Sequence, residues 1–272
     1  MNIKHDSRPI GIFDSGVGGL TVLKELIRTF PNEHFIYLGD TARVPYGAKS
    51  ARTVERYTIQ VADFLIRHNV KGLIAACNTA SALGLGALRA HCDTPVLGVI
   101  QPGCQQAMNR IRSHNDQVGV IGTTSTIASG AYPQTLATFE PRLKVRSLAC
   151  PLFVPLVDEG WIDHPATRLI VEENLAPFIE NPVDVLILGC THYPVLKPVI
   201  AKIIGSKTKL IDSAEAVADS LAVLLSQVIL PAPSDTRQKV DFYVTDVADR
   251  FKHLAGRFLD GYRVDNVEMV DL

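Results

Sequence analysis

The chain has no surplus of charge of either sign: 27 lysines and arginines stand against 28 aspartates and glutamates, a formal net charge of −1. Nucleic acids and anionic membrane surfaces select basic patches, so neither is expected as a partner. No apolar run reaches the roughly 20 residues of a membrane-spanning helix; the longest have the length of buried strands. The segment Met1 to Pro9 lacks the apolar stretch of a secretory signal, so the expected location is the cytoplasm. There is no Cys-x-x-Cys pair. Five cysteines, at 77, 92, 104, 150 and 190, form an odd set without zinc-ligand spacing, which argues against a disulfide framework and against a metal site. Each is then a free thiol, either a small buried apolar residue or a reactive group.

What the chain does have is apolar substance, 47% of 272 residues, enough for one large domain or two modest ones. Short apolar runs alternate with amphipathic stretches. Ile10–Phe13, Phe35–Leu38, Gly72–Ala76, Val96–Val99, Val118–Ile121, Lys144–Ala149, Val183–Leu188, Leu210–Ile211, Val240–Val244 and Val264–Val270 read as strands. Helical spacing covers Leu20–Phe30, the stretch after a Ser50 cap, Ala80–Leu88, Pro165–Ile179, Leu196–Ile203, Ala214–Leu230 and Val247–Leu259. Arg43–Ala48, with Pro45 and Gly47, reads as a loop, and Pro231–Ser234 as a linker. This alternation predicts an α/β fold with mostly parallel sheets covered by helices, in which ligands bind at the carboxyl ends of strands.

A weak internal repeat divides the chain. IGIFDSG from Ile10 resembles VGVIGTT from Val118, and GLIAACNT from Gly72 resembles VLILGCTH from Val185; the offsets of 108 and 113 residues are similar and the order is kept. Two pseudo-symmetric α/β domains with a cleft between them follow. Residues 1–98 with 212–272 are expected to form the first, carrying Cys77, and 99–211 the second, carrying Cys190.

Cys77 and Cys190 each follow a buried strand and precede small or polar residues, with a helix expected just beyond. A helix N-terminus stabilises a thiolate. A lone cysteine here is most often packing, but packing gives no reason for the same placement twice. Two opposed thiols suit inversion of a stereocentre: one removes a proton from one face while the other returns one to the opposite face. The α-proton of an amino acid is very weakly acidic, so hydrogen-bond donors are needed for the developing charge. The turn Asp14-Ser15-Gly16-Val17-Gly18-Gly19 offers free N–H groups for a carboxylate. It lacks the Gly-Lys-Ser/Thr ending of a phosphate loop and departs from GxGxxG. Asp14 is a candidate to receive an ammonium group or assist Cys77; its ordinary role is a helix cap. His192 is a candidate proton partner or substrate contact, against the alternative of a structural histidine. Thr123 and Thr126 are candidate hydroxyl donors, against helix capping. Cys92, Cys104 and Cys150 lack the paired setting and read as structural.

The strings GIFDSGVGGLTV, YLGDTARVPYGAKS, AACNTASA, IGTTSTIASGAYPQ, CPLFVPLVDEGW and LGCTHYPVLKPVI, in this order, closely resemble the bacterial glutamate racemases of the aspartate/glutamate racemase superfamily. The resemblance implies reversible, cofactor-independent conversion of L- to D-glutamate, feeding peptidoglycan synthesis, in a cleft between two α/β domains, and a homodimer. It implies Cys77 and Cys190 as the acid/base pair, assisted by Asp14 and His192. Asp14, Ser15, Tyr46, Gly47, Asn78, Thr79, Thr123, Thr126, Thr191 and His192 are implied as substrate contacts. An acidic residue is implied after PLFVPLV, at Asp158, where relatives often carry Glu, with Glu159 beside it. The longer N-terminal regulatory extension of some relatives is expected to be absent. The residues themselves leave open an aspartate racemase, a non-catalytic amino-acid-binding protein, and a cysteine hydrolase built on Cys190 and His192.

Overall fold

A computed structural model describes residues 5–113 and 116–272; Met1–Lys4, the start of the segment read for a secretory signal, lie outside the described residues. The chain runs β1 (Ile10–Asp14), α1 (Leu20–Thr29), β2 (His34–Gly39), α2 (Ala51–Arg67), β3 (Gly72–Ala75), α3 (Asn78–Leu83), α4 (Leu85–His91), β4 (Val96–Gly98) and α5 (Ile100–Met108). It continues with β5 (Gln117–Gly122), α6 (Thr124–Ala128), α7 (Ala131–Phe139), β6 (Lys144–Ala149), α8 (Phe153–Asp158), α9 (Pro165–Glu180), β7 (Val185–Gly189), α10 (Lys197–Ile204) and β8 (Lys209–Ile211). It ends with α11 (Ser213–Gln227), β9 (Lys239–Val244), α12 (Ala248–Phe258) and β10 (Val267–Met269).

Two sheets form, and every strand pair within them is parallel. The first has six strands in the order β10-β9-β2-β1-β3-β4, the second four in the order β6-β5-β7-β8. The run β2-β1-β3-β4 and the run β6-β5-β7-β8 are the same arrangement with β1 matched to β5 and β3 to β7, which is the repeat seen in the sequence. Strands β1, β3 and β7 are buried along their whole length because helices cover both faces of each sheet.

Helical periodicity supplies those covers. On α1, Leu20, Val22, Leu23 and Leu26 are buried, and each fully buried leucine contributes about 1.5–3 kcal/mol. Ser50 caps α2 by accepting the Thr53 N–H at 3.4 Å, and α2 buries Val54, Val61, Ala62 and Leu65. Helix α11 carries the chain back from the second sheet and packs on both α1 and α5, one from each half.

Two expectations are corrected. The single helix at Ala80–Leu88 is two, α3 and α4, broken at Gly84, where α2 presses so close that an added methyl would strike the Thr58 side chain. The loop Arg43–Ala48 is built from two short 3-10 turns, Thr41–Arg43 and Tyr46–Ala48. Helices α5, α7 and α8 were not anticipated. Among the described residues, no helix is long and apolar enough to cross a membrane.

Candidate active site

The carboxyl ends of β1 and β3 bring the first half's groups together. Asp14, the last residue of β1, is buried and its Oδ2 accepts the Gly16 N–H at 2.9 Å. The turn after it closes so tightly that a Cβ on Gly19 would lie 2.6 Å from Asp14 Cβ. Cys77 caps α3, its sulfur accepting the Ala80 N–H at 3.4 Å. The expected lowering of this thiol by the helix end is real but outweighed. Burial first, then the Asp14 charge, push Cys77 up to about 12, while the Ala80 and Ser15 amides pull the other way. Burial likewise raises Asp14 above the usual carboxylate range, opposed by His192 and by hydrogen bonds from Gly16, Gly19 and Thr191.

In the second half, Cys190 directly follows β7. The helix expected just beyond it is first a 3-10 turn, Tyr193–Leu196, which leads into α10. His192 stands just before that turn without a side-chain cap to it, and its Nε2 lies 3.1 Å from Asp158 Oδ1 at the end of α8. Burial works against a charged imidazole here, but the hydrogen bonds to Asp158 and Cys190 prevail and carry His192 up to about 10. Asp158 is thus the acidic partner of His192, while Glu159 also lines the cleft. Glu159 is exposed and pairs with Arg250 on α12 at 3.1 Å.

Contacts between the halves join these groups. Thr191 Oγ1 donates to Asp14 Oδ1 at 3.4 Å. Thr79 Oγ1 lies 3.0 Å from Thr123 Oγ1 and 2.9 Å from Thr126 Oγ1, and the latter two are 2.9 Å apart, a closed ring of three hydroxyls across the divide. Thr123 also caps α6, so its capping and contact roles coexist. Tyr132 of α7 donates to Asn78 Oδ1 at 2.6 Å. Gly47 meets Thr123 so closely that a Cβ there would lie 2.5 Å from Thr123 Cβ. The Tyr46 hydroxyl is committed to Asp40, and of its turn Gly47 and Ala48 line the cleft while Tyr46 itself does not.

A cleft of about 460 Å³ opens here, lined by Ser15, Gly16, Gly47, Thr123, Asp158 and His192, with Val44, Pro45, Val154 and Phe251 among its apolar walls. Neither thiol lines this open space. Cys77 is 5% and Cys190 6% exposed, and Cys190 borders a separate cavity of about 10 Å³ with Asn78 and Thr191. The thiols nonetheless sense each other, since the charge of Cys190 adds to what raises Cys77.

The sequence profile of the Asp/Glu/hydantoin racemase family matches residues 10–221. The chain belongs to this family. Its racemase relatives include the glutamate racemase of Geobacter metallireducens, 48% identical over 265 residues and 97% of each chain, and that of Syntrophus aciditrophicus, 47% identical over 264 residues, again 97% of each. A glutamate racemase of Bacillus anthracis superposes with a TM-score of 0.93 over 98% of this chain and 99% of that one, at 39% identity. The Francisella tularensis glutamate racemase in complex with D-glutamate does so with a TM-score of 0.89 over 97% and 98%, also at 39% identity. An aspartate racemase of Picrophilus torridus, 18% identical over 80% of this chain and 94% of that one with a TM-score of 0.59, shares the fold alone.

Sequence reasoning missed the supports of this candidate site. Asp40 is fully buried and accepts from Arg43 Nε at 2.7 Å and from Thr245 Oγ1 at 2.9 Å, besides Tyr46. It follows β2 much as Asp14 ends β1, a parallel visible in the string YLGD. The Tyr132 bond to Asn78 left no local signal, because the two residues lie 54 positions apart.

Proposed function

We propose that this chain interconverts L- and D-glutamate by proton transfer between Cys77 and Cys190, without a cofactor, and supplies D-glutamate for peptidoglycan. The observation that carries the reading is the placement of the two thiols at matched strand ends of two matched sheets, each with its own titratable partner. Asp14 attends Cys77 and the His192–Asp158 pair attends Cys190. High identity to glutamate racemases over nearly the whole chain supports glutamate as the substrate.

The chemistry follows from the charges. Cys77 waits as a thiol, so in one direction it is the proton donor, and the protonated His192 is placed to give a proton to the Cys190 thiolate and to recover it. A substrate ammonium beside Asp14 offsets the carboxylate charge that raises Cys77, so binding itself primes that thiol for the reverse direction. The N–H groups of Ser15–Gly19 and of the Tyr46–Gly47 turn, with Asn78, Thr79, Thr123, Thr126 and Thr191, are assigned to the substrate carboxylates. Because both thiols are covered, entry requires the halves to part and close again over the substrate. We assign residues 1–98 and 212–272 to one domain, 99–211 to the other, and a homodimer to the assembly, which sedimentation velocity tests directly.

The decisive experiment incubates purified protein with L-glutamate in heavy water and follows optical rotation and α-deuteration by NMR. Rotation decays as deuterium enters the α-position, and Cys77→Ala and Cys190→Ala each abolish the decay while remaining folded. Full activity in either variant removes the two-thiol mechanism.

A further inference from the structure

One side chain bridges the two titratable partners. Thr191 Oγ1 lies 3.4 Å from Asp14 Oδ1 on one side and 3.4 Å from His192 Nδ1 on the other. Its direction is set by charge. A protonated His192 donates from Nδ1 to the threonine oxygen, which leaves the single hydroxyl proton for the Asp14 carboxylate. Asp14 neighbours Cys77, and His192 neighbours Cys190. The run is mostly covered, His192 alone of its three members lining the cleft. Asp14, Thr191 and His192 are all buried, and Gly18 sits against the middle of the run, where a methyl would overlap both Thr191 Oγ1 and His192 Nδ1. Thr21 Oγ1 holds the Thr191 carbonyl at 3.2 Å.

We propose that Thr191 is a proton relay that resets the free enzyme between turnovers, an inference that rests on the two-thiol reading above. A two-base inversion leaves the pair of thiols in the opposite protonation state from the one that began it. The thiol that took the proton is S–H, and the one that gave its own is a thiolate. Before the same enantiomer can react again, one proton must travel from the first sulfur to the second. With Cys190 as S–H and Cys77 as thiolate, His192 passes its Nδ1 proton to Thr191 Oγ1 while the threonine O–H proton passes to Asp14. Asp14 delivers that proton to the Cys77 thiolate, and His192 regains one from the Cys190 thiol. One proton has moved between sulfurs and every intermediate group is as it began. The opposite reset is the same sequence reversed. Both thiols are nearly inaccessible, so bulk water is a poor substitute for this route while the halves are closed.

The test is tracer perturbation. Radiolabelled D- and L-glutamate are brought to equilibrium on the full-length enzyme, excess unlabelled L-glutamate is added, and the label is followed in both enantiomers. Where reset is slower than capture of the enzyme by product, the label is driven transiently away from equilibrium. Thr191→Val is expected to show this displacement at roughly 100-fold lower glutamate concentration than the native enzyme, the low end of what a positioned proton-transfer group contributes. Thr191→Ser, which keeps the hydroxyl, is expected to bring the onset of the displacement back toward that of the native enzyme. An unchanged onset in Thr191→Val, with inversion still running, overturns the relay. Should Thr191→Val stop inversion outright, Gly18→Ala, which retains Asp14, Thr191 and His192 but whose methyl forces Thr191 Oγ1 and His192 Nδ1 to shift apart, is scored in the same way. Failure of the two-thiol reading looks different: Cys77→Ala or Cys190→Ala would continue to invert glutamate.

Discussion

At Cys77 two groups of influences oppose each other. The Ala80 and Ser15 amides favour a thiolate; burial and the Asp14 charge favour the thiol and win. Removing the charge separates reactivity from catalysis. In Asp14→Asn, alkylation of Cys77 by iodoacetamide at pH 8–9, read by peptide mass spectrometry, is expected to become faster than in the native enzyme. Racemisation is expected to fall by ~10²-fold or more, because a proton-transfer partner is gone. Slower alkylation would show that Asp14 does not hold Cys77 protonated. A second consequence concerns pH. Cys77, Cys104 and Cys150 are each pushed up to about 12 from an ordinary 9.0, chiefly by burial. The unfolded chain releases these protons near pH 9 while the folded chain keeps them. Their stabilising contribution is therefore complete below pH 9 and is lost as pH rises toward 12. Each such thiol accounts for about 1.4 kcal/mol of loss per pH unit in that window. Cys104 lies outside the cleft lining and its thiol makes only a long 4.0 Å contact to the Tyr132 carbonyl, so Cys104→Ala is expected to keep its racemase activity. Unfolding free energies from urea titration at pH 8 and pH 10 are expected to differ by about 1 kcal/mol less than in the native protein.

At the scale of elements, the strands and the longer amphipathic helices were legible and three short helices were not. The strands were readable because parallel strands buried on both faces are continuous apolar runs, and α2 because its cap and its apolar face agree. Helices α5, α7 and α8 share a feature that hid them: Pro102, Pro133 and Pro155 each stand third in the helix. Proline punctuates a sequence as a breaker, yet within a first turn its missing N–H is one that has no intrahelical partner in any case. The paired thiols and the glycine-rich turn were legible because their chemistry is local. Asp40, Tyr132 and the hydroxyl ring were not read as supports because their partners are brought in by topology. The turn Tyr46–Ala48 shows how an element of one half is fitted to the other. Its Gly47 packs on Thr123, and Ser125 Oγ donates to the Lys49 carbonyl at 2.9 Å. Gly47→Ala is expected to push the turn off Thr123, raising KM for glutamate several-fold while the unfolding free energy in urea changes by no more than about 1 kcal/mol. A large loss of stability with KM intact would place that contact in the fold rather than in the site.

Over the whole molecule, the site occupies one edge of the first sheet and a buried ion pair fastens the other. Lys71 precedes β3 and Glu33 precedes β2, so both lie at the amino ends of strands whose carboxyl ends carry the chemistry. The pair is 2.7 Å apart and almost wholly buried. Lys71 Nζ also donates to the Asp6 carbonyl at 2.7 Å and to the Leu230 carbonyl at 2.9 Å, while Glu33 Oε1 accepts the Ala232 N–H at 2.8 Å. Three separate stretches of chain are tied at one point: the segment before β1, the core of the sheet, and the linker by which the chain returns from α11 to β9. An interior ion pair is a weak source of net stability, but removing one partner strands the other charge. Lys71→Met is therefore expected to cost about 3–5 kcal/mol in urea unfolding, and Glu33→Gln less, since an amide still offers a carbonyl to Ala232. The knot holds the return linker rather than the cleft, so the folded fraction of either variant is expected to retain native kcat and KM per active site, measured by titrating the reactive thiols. A fall in kcat that outlasts this correction would mean that the amino edge of the sheet helps to set the spacing of Cys77 and Cys190, and that the two halves are aligned from behind as well as across the cleft.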